Sequence, residues 1–416
     1  MRVNPAEDAV ATKSMLKKVY LAATLALLLF NSAKANVKDS VFVKKKLRKT
    51  EVDILYSQYI QDGVHSAVTG GQGTEKLMVF APSVSVVSSG NSVSWKLKTG
   101  TDLITSASTD NIDFVQSSAS RKDARTYANL SIAKTFPNKV NAELGTGFSV
   151  ESDYLSFPLA FTLKGTSKNK MRDWLIESKC YFDDLRWGRL NPNYRKPVRL
   201  IYPSELRATN WFDTEKRQSY NLKIGLTQIV NKRNVIGMFP LFTIQNGLLA
   251  TPFHRVVFNN LETRVENLPH QRLKLALALK WNSFKGGNIV LKNTLEAYSD
   301  NFGILALGFE NETSVKLKNG IVLSPFARFY AQTASNYFAP YAVHSPDQLY
   351  YCSDYDFSRF YSLKSGLEVK LNNHFALRKN WLLKQCQIRY AYYYRNDGLF
   401  AHIISLGINL QHHKQS

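Results

Sequence analysis

The segment from Arg272 to Trp281 alternates strictly between large apolar side chains and charged or small ones. A period of two places successive side chains on opposite faces of an extended chain, so the segment predicts a β-strand with one apolar face. Strands of this kind also occur in water-soluble sandwiches. Their repetition along this chain, behind an export signal, is typical of a barrel in an outer membrane.

The start of the chain carries the features of an export signal. Lys17 and Lys18 form a positively charged n-region, and the apolar run from Val19 to Phe30 has the length of a signal h-region. Ala33-Lys34-Ala35 is an A-x-A cleavage site, so we predict a signal peptide over residues 1–35, with its true start at Met15. A transmembrane anchor is disfavoured because a helix needs about 20 apolar residues to cross a bilayer.

Strand-like segments recur along the rest of the chain. They cover residues 51–60, 77–88, 92–106, 125–136, 139–151, 155–164, 172–186, 219–230, 234–246, 271–283, 288–299, 303–317, 321–333, 359–371, 382–395 and 399–411. An even number of strands is usual for single-chain bacterial barrels. The sequence therefore predicts an all-β fold: a transmembrane antiparallel β-barrel of about sixteen strands over residues 51–412, after a basic periplasmic segment at 36–50.

The joints between these segments alternate in length. Short joints rich in Gly, Asn, Pro and Lys follow even-numbered strands, and long joints follow odd-numbered ones at 61–75, 107–124, 187–218, 247–270 and 334–357. The remaining odd joints, near 152–154, 300–302 and 396–398, are short. Barrels have short periplasmic turns and longer outside loops, so we expect the long joints to be extracellular. The joint at 187–218 is the best candidate for a plug of the lumen.

Three prolines fall inside predicted strands, namely Pro82, Pro240 and Pro325. Proline cannot donate a hydrogen bond to a neighbouring strand and belongs at sheet edges or bulges, and a closed barrel has no edges. We therefore expect bulges at these positions, or strand limits that differ from those predicted.

The chain is strongly basic. Residues 1–35 contain five of the 54 Lys and Arg and two of the 32 Asp and Glu, so the exported part has 49 and 30 and a net charge near +19. Such a charge favours anionic lipid headgroups or an anionic solute. Because the chain is exported, we expect no nucleic acid partner. An open alternative is that the positive charge is unrelated to any substrate.

Charged residues lie opposite the apolar stripes, where we expect them to line the lumen. They are Lys96, Lys98, Asp102, Glu143, Lys164, Lys223, Lys274, Lys280, Lys292, Glu296, Glu310, Glu312, Lys364, Glu368, Lys370 and Arg389. A barrel of about sixteen strands is wide enough for an aqueous channel, and wall charges tune which solutes pass. The sequence thus predicts a porin-like or transport-associated channel for small solutes.

Two other functions stay open: a non-conducting structural or surface-binding barrel of an envelope complex and, less favoured, a barrel-embedded hydrolase. The expected partners are outer-membrane lipid and, less firmly, other envelope proteins, while the oligomeric state stays undetermined. No P-loop, zinc-ligand spacing, serine elbow or thiol redox pair appears in the sequence, so we predict no enzymatic activity and no cofactor. Cys180, Cys352 and Cys386 are odd in number and give no disulfide framework.

A few loop residues are weak candidates for sites. Asp110 with Asp113, and Asp354 with Asp356, supply close carboxylates that can ligate Ca²⁺, although Asp in loops more often caps turns. His254 has the chemistry of a catalytic base, but no paired Ser can be named, and a lone loop His is usually polar surface. The Gly-rich run at 69–74 lacks the Lys of a phosphate cradle and is interpreted as a loop tip.

Several strings in this sequence resemble a bacterial family known as domain of unknown function 3570, found mostly in Bacteroidota. They are Tyr56–Gly63 with Ser66–Gly71, Thr105–Asp113, Gly247–Arg255, Tyr337–Tyr341 and Tyr350–Asp356. The resemblance covers nearly all of the exported chain and implies an outer-membrane β protein. It supplies no activity and no site residues. Because the strings fall mainly in predicted outside loops and strand ends, that rim is the expected working surface.

Overall fold

The computed structural model describes residues 47–106, 122–151, 154–185, 216–251, 254–372, 375–378 and 380–415. Their strands are β1 (Leu47–Asp62), β2 (Leu77–Ser89), β3 (Val93–Ser106), β4 (Lys122–Thr135), β5 (Asn141–Glu151), β6 (Tyr154–Thr166), β7 (Arg172–Asp184), β8 (Lys216–Asn231), β9 (Asn234–Gly247), β10 (Arg255–Val257), β11 (Thr263–Val265), β12 (Gln271–Lys285), β13 (Ile289–Asp300), β14 (Leu305–Lys316), β15 (Ile321–Gln332), β16 (Phe360–Leu371), β17 (Phe375–Arg378), β18 (Trp381–Arg395) and β19 (Phe400–Gln415).

Short 3₁₀ helices lie at Ala67–Thr69, Lys318–Gly320 and Tyr355–Phe357. Among the described residues, no helix has the length and apolar character needed to cross a membrane.

One antiparallel sheet of 17 strands closes on itself. Its order follows the chain from β1 to β9, continues at β12 and ends at β19, which pairs with β1 from Leu47 opposite Gln415 to Asp62 opposite Phe400. The four-residue β17 pairs only with β18, so the ring itself contains sixteen strands. The hairpin β10–β11 forms a separate two-stranded sheet within the joint that connects β9 to β12 in the chain. The predicted fold class and strand number are confirmed.

The ring begins a little before the predicted boundary at 51 and ends a little beyond 412, since β1 starts at Leu47 and β19 reaches Gln415. Residues 1–46 lie outside the described part of the chain. The signal peptide over 1–35 and most of the basic segment at 36–50 therefore stay predictions.

The outer face of the ring is apolar around nearly its whole circumference. Large exposed side chains on it include Ile54, Val84, Leu97, Leu130, Phe148, Ile176, Leu222, Met238, Leu275, Leu295, Leu307, Phe329, Leu363, Ile388 and Leu406. On β12 this band runs from Leu273 to Trp281, about 20 Å along the barrel axis for strands tilted by about 40°. This height approaches the apolar band of about 25 Å that outer-membrane barrels have.

Aromatic residues mark both margins of the band. Trp95 and Trp281 face outward close to short turns, whereas Tyr361, Tyr392 and Tyr394 face outward at the other end. Such girdles sit at the two membrane–water interfaces. A closed ring with an apolar band between aromatic margins is the architecture of outer-membrane barrels, and the bacterial outer membrane is where this chain is located.

The two ends of the barrel differ in their joints. The short joints after β2, β4, β6, β8, β12 and β14, and both ends of the ring, lie at one end. The long joints after β1, β9 and β15 lie at the other, together with the short ones after β13 and β18. The sorting of long joints by strand parity is confirmed for these described joints; residues 107–121 and 186–215 lie outside the described part. By the usual rule the long-loop end is extracellular.

The expected proline bulges are absent from the described strand pairs of Pro82, Pro240 and Pro325. The register on both sides of each proline is continuous, as from Phe80 opposite Leu103 to Ser83 opposite Gly100 beside Pro82. Each proline keeps its pairing with one neighbouring strand and interrupts it with the other. The prediction was wrong because the missing N–H points to one neighbour only, so the loss is confined to one ladder.

Candidate functional site

The joints at the extracellular end fold together into one structure, which we call the mouth bridge. It consists of the described residues of 63–76 between β1 and β2, 248–270 between β9 and β12, and 333–359 between β15 and β16. The hairpin β10–β11 lies at its centre. Backbone hydrogen bonds join the second and third joints, including a reciprocal pair between Asn267 and Tyr351 and a bond from Ala342 N to Val257 O.

The bridge connects opposite sides of the barrel. Along the ring, the joint between β1 and β2 is eight strands away from the joint between β9 and β12, which is half of the sixteen-strand circumference. A strand spacing of about 4.8 Å and a tilt of about 40° give a backbone diameter of about 32 Å. The two joints nevertheless meet, because the position that a Cβ of Gly70 would take lies 3.0 Å from Cγ2 of Val257.

The most deeply buried large apolar side chains of the described chain lie in this bridge and at its base. Val256, Phe258 and Tyr351 form one apolar cluster, with the Phe258 and Tyr351 rings 4.8 Å apart and edge to face. A second cluster contains Leu268, Phe302 and Cys352. A loop assembly with its own close-packed core behaves as a fixed element rather than as separate mobile loops.

Inward-facing arginines at the strand ends anchor the bridge to the barrel wall. Arg272 of β12 pairs with Asp300 of β13, and its guanidinium lies 4.7 Å from the ring centre of Phe302 and 5.0 Å from that of Phe357. These contacts combine charge pairing with cation–π attraction in a buried setting. They hold the third joint of the bridge against the wall at β12 and β13.

Arg395, at the end of β18, makes the corresponding anchor on the other side. It pairs with Asp397 in the next turn and with Asp356 of the bridge, and donates to the carbonyl of Tyr355 at 3.1 Å. Tyr355 in turn stacks on His65 of the first joint, with ring centres 3.7 Å apart. All three joints of the bridge are thus fastened to the wall or to one another.

His254 lies within the bridge between two carboxylates. Its Nδ1 is 3.7 Å from Oε1 of Glu266 and 3.7 Å from Oδ2 of Asp354, which are ion-pair distances too long for hydrogen bonds. Burial lowers the pKa of His254, but the facing charges of Glu266 and Asp354 outweigh it and raise the pKa to about 9. At neutral pH this imidazole is protonated, a state in which it cannot act as a general base.

The neighbouring acid and thiol are also perturbed by burial. Burial raises the pKa of Asp354 to about 6, partly offset by the charge of His254. Burial, with Glu266 and Asp354 nearby, raises the pKa of the Cys352 thiol well above its ordinary value. A thiol of this kind is a poor nucleophile, because the thiolate is the reactive form. The cluster stabilises the bridge through charge pairing and offers no activated nucleophile.

The residues predicted as calcium ligands have other contacts here. Oδ1 of Asp354 accepts the backbone N–H of Asp356 at 2.9 Å, which caps the 3₁₀ turn, and Asp356 pairs with Arg395. Within the described ranges no three His, Cys, Asp or Glu side chains converge as a metal site. Asp110 and Asp113 lie outside those ranges, so their calcium site stays a prediction.

The wall charges face the lumen. Arg328 of β15 contacts Glu296 of β13 at 2.7 Å, and Arg389 of β18 contacts Glu312 of β14 at 3.2 Å, although neither strand pair is adjacent. Side chains that pair across intervening strands must lie on the concave face of the ring. The structure places all of the predicted lumen residues on this inward face: Lys96, Lys98, Asp102, Glu143, Lys164, Lys223, Lys274, Lys280, Lys292, Glu296, Glu310, Glu312, Lys364, Glu368, Lys370 and Arg389.

Beneath the bridge, from β13 to β18, these charges neutralise one another. Glu312 lies 2.8 Å from Lys292 and 3.2 Å from Arg389, and Arg389 also approaches Glu368 at 3.7 Å. Lys370 pairs with Glu368 at 2.6 Å. Pairs between Lys364 and Glu310 and between Arg328 and Glu296 complete the network.

The wall from β3 to β12 is different. Lys96, Lys98, Lys164, Lys223 and Lys280 have no ion pair with any carboxylate that the structure describes, and Lys96 and Lys98 are exposed to the lumen. Aromatic rings accompany some of them: Lys98 lies 5.7 Å from the centre of Tyr127, and Lys223 and Lys280 lie 5.8 and 5.5 Å from that of Phe239. Cation–π contacts hold an ammonium group without cancelling its charge.

A cavity of about 530 Å³ lies against this wall at β3 to β7. Its charged lining residues are Lys96, Lys98, Asp102, Arg125, Glu143 and Lys179. The two halves of the lumen therefore differ: paired charges lie under the bridge, and unpaired lysines line a cavity on the other side.

Sequence reasoning identified the rim and the wall charges but missed the bridge. The Gly-rich run at 69–74 is a loop tip as interpreted, and it is also the point at which opposite joints touch. No sequence motif distinguishes Arg272, Arg395 or Glu266 as a residue of the bridge or of its anchors. The available signal was the set of resemblance strings, since those at 66–71, 247–255, 337–341 and 350–356 all fall in the bridge or at its edge.

Comparison with solved structures finds barrels of low similarity. A bacterial polysaccharide outer membrane secretin is 8% identical, with a TM-score of 0.43 over 87% of this chain and 97% of that one. OprD from Pseudomonas aeruginosa is 9% identical, with a TM-score of 0.42 over 88% and 94%. A BenF-like porin from Pseudomonas fluorescens Pf-5 is 9% identical, with a TM-score of 0.40 over 88% and 99%. At such scores the fold assignment depends on the strand pairing and the apolar band alone.

No curated protein matches the sequence. A family model does match, over residues 17–404, which include the described strands from β1 to β18 and the whole mouth bridge. The resemblance noted in the sequence is thereby confirmed at the level of the family. The chain belongs to the family described as "Protein of unknown function (DUF3570)".

Proposed function

We propose that this barrel passes small solutes across the outer membrane, along the half of its lumen that the mouth bridge does not span. The observation that carries the proposal is the division of the wall into two halves. Charges under the bridge form mutual ion pairs, whereas five lysines of the β3 to β12 wall, namely Lys96, Lys98, Lys164, Lys223 and Lys280, have no ion pair with a described carboxylate. Unpaired, water-exposed lysines beside a cavity are the lining expected of an aqueous path.

The bridge supports the same route. A folded element fixed to β12 and β18 closes off the sector of the mouth between them. Solutes that enter from outside would then pass beside the bridge and reach the unpaired lysines deeper in the lumen, where Lys96 and Lys280 lie toward the short-turn end. An off-centre path narrows a lumen of about 32 Å backbone diameter to the size of small solutes.

Conductance across a planar lipid bilayer tests the proposal. Purified barrel inserted from detergent should give discrete current steps in KCl. A barrel that inserts, as judged by its heat-modifiable migration in detergent gels, and yet never conducts would overturn the proposal. It would support the alternative of a structural or surface-binding barrel, for which the outer surface of the bridge is the natural contact.

We propose no catalytic role. The protonated state of His254 at neutral pH and the raised pKa of the Cys352 thiol support this, because neither group is in the form that a hydrolase requires. Hydrolysis of ester or lipid substrates by the purified barrel, lost in the His254→Ala variant, would contradict it.

A further inference from the structure

The wall beside the cavity at β3 to β7 carries a column of cations along the barrel axis. Lys96 and Lys98 project inward from β3, and Arg125 projects inward from β4 at the level of Asp102. Six residues separate Lys96 from Asp102, so the column covers about 15 Å along the axis of a strand tilted by about 40°.

Tyr127 occupies the middle of this column. It lies opposite Gly100, and a Cβ on Gly100 would lie 2.6 Å from the Tyr127 hydroxyl oxygen, so the tyrosine side chain lies flat across β3 in the space that the glycine leaves. Lys98 and Arg125 are each 5.7 Å from the centre of its ring. The ring thereby holds two cations close to the wall.

The carboxylates nearby leave two of the three cations of the column without an ion pair. Arg125 donates to Ser149 Oγ at 2.9 Å and pairs with Asp102 at 3.8 Å, whereas Glu143, which lines the same cavity, forms no ion pair with Lys96 or Lys98. Lys179 is paired with Glu177. Lys96 and Lys98 have no described carboxylate within ion-pair distance. The paired network on β13 to β18 is distant as well, since a lumen of about 32 Å is several screening lengths wide at about 0.15 M salt.

We infer that the column of Lys96, Lys98 and Arg125 beside Tyr127 binds small anions, and that the barrel passes anions in preference to cations. This rests on the proposed function as far as passage is concerned; the binding of anions is a separate property of the same wall. Chloride and inorganic phosphate are suitable probes because both are small and carry the required charge.

Two variants with the same change in net charge test the inference. Lys96→Gln with Lys98→Gln removes two cations from the column, and Lys292→Gln with Lys370→Gln removes two cations from the paired network. Binding of inorganic phosphate to each barrel in detergent is followed by the broadening of its ³¹P resonance. The reversal potential in a KCl gradient gives the chloride-to-potassium permeability ratio.

The unmodified barrel should bind phosphate saturably and prefer chloride. The Lys96/Lys98 variant should lose binding and reduce the permeability ratio by roughly two-fold or more, while the Lys292/Lys370 variant retains both, because wall charges act locally on passing ions. Equal effects of the two variants, absent phosphate binding, or a preference for potassium would overturn the inference. Phosphate binding that depends on Lys96 and Lys98 in a barrel that never conducts would uphold the anion site and overturn the proposed passage.

Discussion

Gly70 and Val257 lie in contact although the joints that carry them leave the barrel at opposite ends of its diameter. Gly70 has a φ of +81°, a left-handed conformation that residues with a Cβ adopt at a cost. A Cβ there would also lie 3.0 Å from the Val257 side chain. The connection across the mouth therefore depends on a position that admits only glycine without strain.

Replacement of Gly70 by Val should loosen the mouth bridge. The left-handed backbone and the overlap with Val257 together should cost about 2–4 kcal/mol of local stability. Limited proteolysis of the folded barrel in detergent checks this, with cleavage within 63–75 and 254–270 expected to become faster. Gly286→Val is the matched control, because Gly286 also has a positive φ, +55°, but no atom lies within 4 Å of its Cβ position. Unchanged protection of the bridge in Gly70→Val would show that the contact does not hold it.

Arg395→Met should destabilise the protein strongly. Arg395 is 3% exposed and pairs with the exposed Asp356 and with Asp397, whose side chain is only 9% exposed, so its removal leaves the buried carboxylate of Asp397 without its cation. Breaking a buried pair in this way costs about 3–5 kcal/mol. The free energy of unfolding in urea from lipid vesicles measures it. Lys49→Met, which breaks the exposed pair with Glu51, should cost less than about 1 kcal/mol, and equal losses would refute the anchoring role.

The bridge should weaken as the pH rises. His254 has its pKa raised from 6.5 to about 9 and Asp354 from 3.8 to about 6, so the folded bridge holds protons more tightly than the unfolded chain at both sites. Stability from His254 is complete below about pH 6.5 and is lost as the pH rises through about 9, and ionisation of Asp354 between about 4 and 6 costs stability in the same direction.

A titration of ¹³C-labelled histidine by NMR tests this pH dependence. One imidazole should titrate near pH 9, and in Glu266→Gln its pKa should fall because one of the two facing carboxylates is removed. A His254 signal that titrates near 6.5 in both proteins would show that the charge cluster does not form.

Substitutions on the two faces of β12 should differ in cost. Leu277 lies on the face of Leu275 and Leu279, which are exposed on the apolar band, while Ala276 lies on the face of Lys274 and Lys280. Leu277→Arg should cost about 2–4 kcal/mol if it meets lipid at mid-depth, and Ala276→Arg should be milder. Refolding into vesicles, with unfolding in urea, gives both values, and equal costs would contradict the assignment of the faces.

The fold was largely predictable because its signal is local. Alternation of apolar and polar residues along segments such as Arg272–Trp281 predicts the sixteen strands. The alternation of short and long joints predicts which strand ends lie at which end of the barrel. The prolines are the exception. The loss of one hydrogen-bond donor predicts a bulge, whereas the strand register at Pro240 and Pro325 is continuous. Local pattern does not show how a single missing donor is accommodated.

The bridge was not predictable in the same way. Its central contact joins Gly70 to Val257, and its anchors join Arg272 and Arg395 to loop residues far away in the chain. No period or spacing encodes such contacts. The pairing of lumen charges was equally hidden, since Arg389 meets Glu312 only after the ring has closed. Only the resemblance strings pointed to the rim.

The central claim is that solutes pass along the β3 to β12 wall, beside a fixed bridge. Single-channel recording with a cysteine-reactive sulfonate reagent tests it most directly, in a background with Cys180→Ser, Cys352→Ala and Cys386→Ser. Reagent added to Lys98→Cys should reduce the anion current because it places a negative charge in the path, whereas Lys364→Cys, on the wall beneath the bridge, should conduct unchanged. Equal block at both positions, or block at Lys364→Cys alone, would contradict the account.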